Sequence, residues 1–309
     1  MLKNTLQLNK YKNRDISQEY HEEYQYLNLL KDILQEGIME KGRNGNVKTV
    51  FGSAFHFSLE NGQIPILTTK KTAWKTCLKE LLWFIKGKMD NKILQAQNVH
   101  IWDGNSSPEF RQLVGLEHYE EGDLGPIYGF QWRYFNAHYQ GCDVDYKNQG
   151  VDQLQEVIDC LKDPEKRTSR RMIVSAWNPC QIKEGVLPSC HNFFQFHVSD
   201  GNKLSCSLYQ RSNDTALGTS FNIASYAFLT HLIAKHCDLE AFEFIHYMGN
   251  AHIYEEHLEQ MKMQCERIPF PFPKILITQK RENINDYILN DFIIENYQHH
   301  DVIKMKMIA

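Results

Sequence analysis

The sequence predicts an α+β fold, a mixed β-sheet covered by helices, and three observations carry that expectation. HNFFQFHV (191–198) and KLSCSLYQ (203–210) alternate or run apolar, and Asp200-Gly201 separates them as a hairpin turn would. Apolar residues recur at helical spacing in several separate stretches. Helices and strands are unevenly spaced, unlike the regular alternation of a doubly wound sheet.

Taken in order, residues 1–20 read as a polar N-terminal extension and 21–309 as one domain, with no linker dividing it. Tyr24, Leu27, Leu30, Ile33 and Leu34 set the first helix, which ends near Gly37. A second spans 73–85, with Trp74, Cys77, Leu78, Leu81, Leu82 and Ile85 on one face and Gly87 placed to stop it. A third covers 151–161, and a fourth covers 223–237 with Ile223, Tyr226, Ala227, Ile233 and Ala234 in register. RMIVSAW (171–177) joins the hairpin segments as a strand. Segments 104–122 and 134–150, rich in Gly, Asn, Asp, Ser and Tyr, read as surface insertions.

Composition narrows the function. With 42% hydrophobic and 23% charged residues the chain has material for a core, unlike a disordered segment. A net charge of -4 gives no basic field to hold nucleic acid or anionic membrane, so a phosphate ligand falls to local arginines. The eight cysteines form no C-x-x-C pair, which argues against a disulfide framework or zinc knuckle and points to a reducing cytoplasm. No long apolar run reads as a signal peptide or membrane span.

Cys190, in LPSCHNFFQF (187–196), follows a proline-containing loop and precedes a strand. One cysteine among eight is more often a small core hydrophobe. Arg170, Arg171 and Arg211 flank the same strands, with Ser212 beside the last, and adjacent guanidinium groups favour the thiolate of an ordinarily protonated thiol. The pair Arg170-Arg171 reads as a solvated loop charge if nothing else points to an anion, and otherwise as alternating faces of a strand, with one able to reach a neighbouring subunit. Asn222 opens the fourth helix; spacing alone favours a cap, while its amide also suits the polar edge of a pyrimidine. His252 and His257 are five residues apart, not the four of H-E-x-x-H, so hydrogen bonding by His252 and Tyr254 is favoured over metal. No dinucleotide or P-loop glycine motif occurs.

Together the segments resemble the thymidylate synthase family from Tyr24 to Ala309. The resemblance includes GRNG before FG (42–52), TTKK (68–71), ELLWFIKG (80–87), IWDGN (101–105), EEGDLGPIYGFQWR (120–133), RRMIVSAWNP (170–179), PSCH (188–191), SCSLYQRSND (205–214), FNIASY (221–226), AHIY (251–254) and IKMKM (303–307). It implies the fold shared by thymidylate synthase and dCMP hydroxymethylase, and the two insertions resemble those of eukaryotic-type members. The implied reaction is methylation of dUMP to dTMP, with 5,10-methylenetetrahydrofolate as co-substrate and no metal.

By position, the resemblance makes Cys190 the nucleophile, with Glu80, Tyr128, His191, Arg211, Asp214 and Asn222 in the catalytic set. Arg43, Gln210, Arg211 and Ser212 would bind the nucleotide, with Arg170 and Arg171 supplied by the partner of a homodimer. Asp214 and Asn222 would contact it too, while His252 and Tyr254 would hold the sugar. Trp102, Asn105, Asp214, Leu217, Gly218, Phe221 and Met307 would carry the folate. The chain departs from the family pattern at Asn44, Lys71, Ser189, Thr219-Ser220 and Asn250. A hydroxymethylase of the same fold is the nearest alternative; members acting on dCMP carry an acid where Asn222 stands. A catalytically silent RNA-binding homologue is disfavoured by the acidic charge.

Overall fold

In the computed structural model, residues 21–42 and 44–308 are described. The polar extension 1–20 and the phosphate-ligand expectation at Arg43 lie outside the described residues.

Helix α1 (Tyr24–Glu36) buries Tyr26, Leu27, Leu29, Leu30 and Ile33 and stops at Gly37. Strands β1 (Ile38–Gly42) and β2 (Gly45–Ser58) follow as a hairpin. Helix α2 (Trp74–Ile85) leads into short helices α3 (Lys92–Gln95), α4 (Asp103–Ser106) and α5 (Pro108–Leu113). Next come α6 (Tyr128–Tyr134) and α7 (Gln153–Lys162), the latter capped by Asp152, which accepts from the Gln155 N–H. Strands β3 (Ile173–Ser175), β4 (His191–Ser199) and β5 (Lys203–Asp214) precede α8 (Gly218–His236). Strand β6 (Glu240–Tyr254), α9 (Leu258–Cys265), β7 (Lys274–Ile277) and β8 (Phe292–Glu295) complete the order.

The main sheet has the order β1-β2-β6-β5-β4-β3, and β7 pairs with β8 separately. Neighbours run antiparallel except β5 and β6, whose parallel pairing follows from the crossover through α8. That helix is buried along nearly its whole length, as a helix apolar on all sides must be, and packs on β5 and β6. Asn192, Phe194, Phe196 and Val198 of β4 turn inward, while Phe193 faces away with Ile173, Tyr209 and Tyr247. The mixed sheet with covering helices is the α+β architecture expected. Asp200 and Gly201 both take positive φ, 46° and 81°, at the predicted hairpin.

Several expectations change. The strand expected over 171–177 is only Ile173–Ser175, an edge whose Ser175 N–H and carbonyl are taken by the Gln153 amide. Arg170 and Arg171 accordingly lie in the turn before β3, both exposed, not on alternating strand faces. The fourth helix begins at Gly218, five residues before the expected 223, because its polar first turn finds local partners. Asp214 Oδ1 accepts from the Ala216 and Leu217 N–H groups, and Ser220 Oγ donates to the Leu217 carbonyl. Asn222 is therefore inside the helix and caps nothing.

The segment 134–150 is partly core: Tyr139 and Tyr146 are buried with their rings 5.1 and 4.8 Å from Phe130. In 104–122, Ser106, Arg111 and Leu116 are buried as well. Aromatic faces supply the apolar area that a composition rich in Gly, Asn and Asp does not advertise.

Candidate functional site

Cys190 ends the loop that delivers the chain into β4, and Arg211 of the neighbouring β5 clasps that loop. The Arg211 N–H donates to the Cys190 carbonyl at 3.0 Å and to Asn192 Oδ1 at 2.8 Å. Its guanidinium donates to the carbonyls of Ser189 and Pro188, at 3.1 and 2.7 Å, which sets Nη2 3.8 Å from the Cys190 sulfur. The cation lies over the Trp177 ring, 5.5 Å from its centroid. A fixed positive charge thus stands against the sulfur at the junction of this loop with β4.

Tyr128 starts α6 with φ of 30°, a backbone region unusual for an aromatic residue. Its phenol oxygen accepts the Cys190 N–H at 2.9 Å, and its own N–H donates to Ser189 Oγ at 3.4 Å. Burial, together with the nearby Cys190, holds the phenol protonated well above its usual range. The ring stands 5.3 Å from His191 and 6.0 Å from Trp102.

His191 is the first residue of β4, opposite Gln210 on β5. Burial lowers its pKa to about 4 against the Asn222 hydrogen bond, so the ring is neutral at physiological pH. Asn222 Nδ2 lies 2.7 Å from His191 Nε2, and Gln210 Nε2 donates to Asn222 Oδ1 at 3.0 Å. Glu80, on α2, accepts from Trp102 Nε1 at 2.7 Å; burial raises its pKa to about 7, with the indole N–H opposing. A carboxyl ionising near neutrality beside a neutral imidazole and a phenol is a set of groups able to pass protons.

A third group lines the start of α8. Asp214 is turned back onto the Ala216 and Leu217 N–H groups. Gly218 sits between Asn222 and Asp214, a Cβ there standing at ordinary contact, 3.6 Å, from both Asn222 Oδ1 and Asp214 Cβ. Across the parallel pair, Ser212 is opposite Asn250 and Asp214 opposite His252. His252 Nδ1 is 2.8 Å from Asn250 Oδ1, and the Tyr254 ring meets His252 edge-on at 5.5 Å.

Cys190, Tyr128, His191, Asn222, Gln210 and Arg211 are therefore contiguous, with the Glu80–Trp102 pair joined through Tyr128. Arg170 and Arg171 are not part of this group. Gln195 Nε2 donates to the Arg170 carbonyl, five residues along β4 from Cys190, about 16 Å at the rise of a strand. Asn105 is half-buried on α4, and Met307 is 55% exposed in the C-terminal segment, whose Lys306 carbonyl meets His257 Nε2 at 2.9 Å.

Sequence reasoning gave no role to Trp177, Asn213 or Lys70. Lys70 is buried with Nζ on the Ala216 carbonyl, and burial lowers its pKa to about 8 despite Asp214 and Glu23 nearby. Only its place in TTKK signalled it. Outside the site, Asp90, Cys142 and Asp143 bring three ligand-type atoms within 4.8 Å, each at least partly solvated. Among the described residues no helix is long and apolar enough to cross a membrane.

Comparison with known proteins gives a consistent result. The family model described as thymidylate synthase matches residues 24–309. The chain is 48% identical over 289 residues to a bifunctional dihydrofolate reductase-thymidylate synthase of Zea mays, covering 93% of this chain and 54% of that protein. A bifunctional relative from Paramecium tetraurelia is 47% identical over 290 residues, 94% of this chain and 62% of its own length. A thymidylate synthase of equine herpesvirus 2 (strain 86/87) is 47% identical over 289 residues, 93% of this chain and 98% of the viral protein. The chain thus spans little more than half the length of those bifunctional relatives.

Proposed function

The chain belongs to the thymidylate synthase family, and from that premise we propose that it methylates dUMP to dTMP, with 5,10-methylenetetrahydrofolate as the carbon and hydride donor and dihydrofolate as the second product. The observation that carries the reading is the Arg211 guanidinium 3.8 Å from the Cys190 sulfur, beside an amide suited to a pyrimidine edge.

Cys190 thiolate adds to carbon 6 of dUMP, and the electron pair of the 5,6 double bond moves toward the carbonyl at carbon 4. Carbon 5 thereby becomes the nucleophile. The folate supplies one carbon at the oxidation level of formaldehyde and then a hydride. Trp102, Asn105, Asp214, Leu217, Gly218 and Phe221 would hold it, with Met307 closing from the C-terminal segment and excluding water.

Glu80, Tyr128 and His191 take up the one proton that leaves carbon 5 as the bond between the transferred carbon and the folate nitrogen breaks, hydride then completes the methyl group, and Cys190 departs from carbon 6. Arg211 and Ser212 bind the nucleotide with Arg43, Gln210 acts on it through the Asn222 amide it holds, and His252 and Tyr254 hold the sugar hydroxyl. Arg170 and Arg171 act from the partner of a homodimer, a role supported by their exposure and their distance along β4 from their own sulfur. The exposed face bearing Ile173, Phe193, Tyr209 and Tyr247 supports such a dimer.

Incubation with dUMP and methylenetetrahydrofolate, followed by mass identification of the nucleotide, tests the proposal. Thymidylate with dihydrofolate is expected, and Cys190→Ser is expected to abolish it. Hydroxymethylated dUMP with tetrahydrofolate would overturn it.

A further inference from the structure

Behind the Asn222 amide lies a set of buried polar side chains with no role in the mechanism above. Asn213, Thr215 and Thr219 have no exposed surface. The hydroxyls of Thr219 and Thr215 both donate to Asn213 Oδ1, the latter at 3.2 Å. Asn213 Nδ2 donates to Gln210 Oε1 at 3.1 Å, and His246 Nε2 meets the same oxygen at 2.8 Å. Gln210 Nε2 donates to the Ser212 carbonyl at 2.8 Å and to Asn222 Oδ1 at 3.0 Å.

The two ends of an amide are alike in shape, so only partners fix which end is which. The Ser212 main-chain carbonyl can only accept, so the Gln210 end facing it is the NH2 group. The Asn222 atom facing that NH2 group is then oxygen, which turns the Asn222 NH2 toward His191 Nε2. At its other end, Gln210 presents an oxygen that needs donors, and Asn213 supplies one. The Asn213 oxygen in turn needs donors, and two threonine hydroxyls, free to rotate, supply them.

Asn222 retains one lone pair and one N–H for a ligand. These match the N3–H and O4 of uracil. Cytosine reverses both partners, and meeting it requires the amide to turn over against Gln210 and His191.

We propose that Asn213 and Thr219 are positioning residues that act through Gln210 to hold the Asn222 amide in its uracil-reading orientation. Thr219 lies between Gly218 and Phe221 in the first turn of α8, which ties the pyrimidine reader to the folate side of the site. The inference rests on the dUMP reading above.

Calorimetric dissociation constants for dUMP and dCMP, measured on the wild type and on Asn213→Ala, Thr219→Val and Thr219→Ser, test it. Preference for dUMP is expected to fall about tenfold in Asn213→Ala and about threefold in Thr219→Val, the scale of one or part of one buried hydrogen bond. Thr219→Ser keeps the hydroxyl and is expected to keep the wild-type preference. Combining Asn213→Ala with Thr219→Val is expected to add little, since both act through one path.

A merely structural role would lower stability or affinity for both nucleotides together. An unchanged dUMP-to-dCMP ratio in a folded Asn213→Ala protein overturns the proposal, as does equal preference in Thr219→Val and Thr219→Ser; that second pair decides alone if Asn213→Ala does not fold. Wild-type protein that binds no dUMP would instead refute the underlying functional reading.

Discussion

Tyr128 holds Cys190 by its main chain, not its sulfur: the phenol oxygen accepts the Cys190 N–H at 2.9 Å, while the neighbouring Ser189 hydroxyl takes the Tyr128 N–H at 3.4 Å. The Cys190 loop and the start of α6 are thus tied at two points. Tyr128→Phe keeps the ring but takes its acceptor from the partly buried Cys190 N–H, a loss of about 1–3 kcal/mol. Turnover is expected to fall between about fivefold and a hundredfold, with less effect on the dUMP KM, as read from steady-state kinetics.

Arg211 combines three jobs in one planar group: it pins the Pro188–Ser189 carbonyls, lies over Trp177 and faces the Cys190 sulfur. Lysine offers one point charge in place of that fork. Arg211→Lys is expected to slow alkylation of Cys190 by iodoacetamide and to raise the dUMP KM at least tenfold, roughly one lost charged hydrogen bond. Unaltered alkylation would show that the guanidinium does not influence the sulfur.

Glu80, raised to about 7 by burial, changes charge within the working range. An inflection near pH 7 in the kcat profile is expected to disappear in Glu80→Gln. Persistence of that inflection would assign it to another group.

Burial lowers His191, His231 and His236 to about 4 and His246 to about 3, below the ordinary 6.5. Between pH 6.5 and 4 the unfolded chain binds protons that the folded chain refuses, so stability falls as pH drops through that window. Each histidine contributes up to about 1.4 kcal/mol per pH unit. Glu80 acts oppositely, since its raised pKa makes the folded state bind the extra proton from 4.5 to about 7. With four such histidines against the raised carboxyls of Glu80, Glu22 and Asp123, denaturant midpoints are expected to be lower at pH 5 than at pH 7.

Ile173, Phe193, Tyr209 and Tyr247 expose 36–48% of their surface on one sheet face. Charges introduced there by Phe193→Glu with Tyr247→Glu are expected to give a monomer in sedimentation. The monomer is also expected to bind dUMP more weakly, because Arg170 and Arg171 would no longer reach a partner's site. A monomeric wild type would remove the basis for shared arginines.

The sequence by itself determined the helices and hairpin whose signals are local. Apolar period, Gly37 after α1 and Asp200-Gly201 between β4 and β5 act within a few residues, where backbone geometry alone settles the outcome. The motifs likewise marked Cys190, Arg211 and Asn222 as residues of one chemistry. The long strands β2 and β6 escaped that reading, since their pairing joins residues about 200 apart and needs the whole sheet to form. Only the tertiary structure decided that Asn222 reads across to His191 instead of capping a helix, that Arg170 and Arg171 occupy a turn, and that Tyr139 and Tyr146 are core. A hydrogen bond such as Cys190 to Tyr128 spans 62 residues of chain. Its partners meet because packed layers bring them together, and no local periodicity records the encounter.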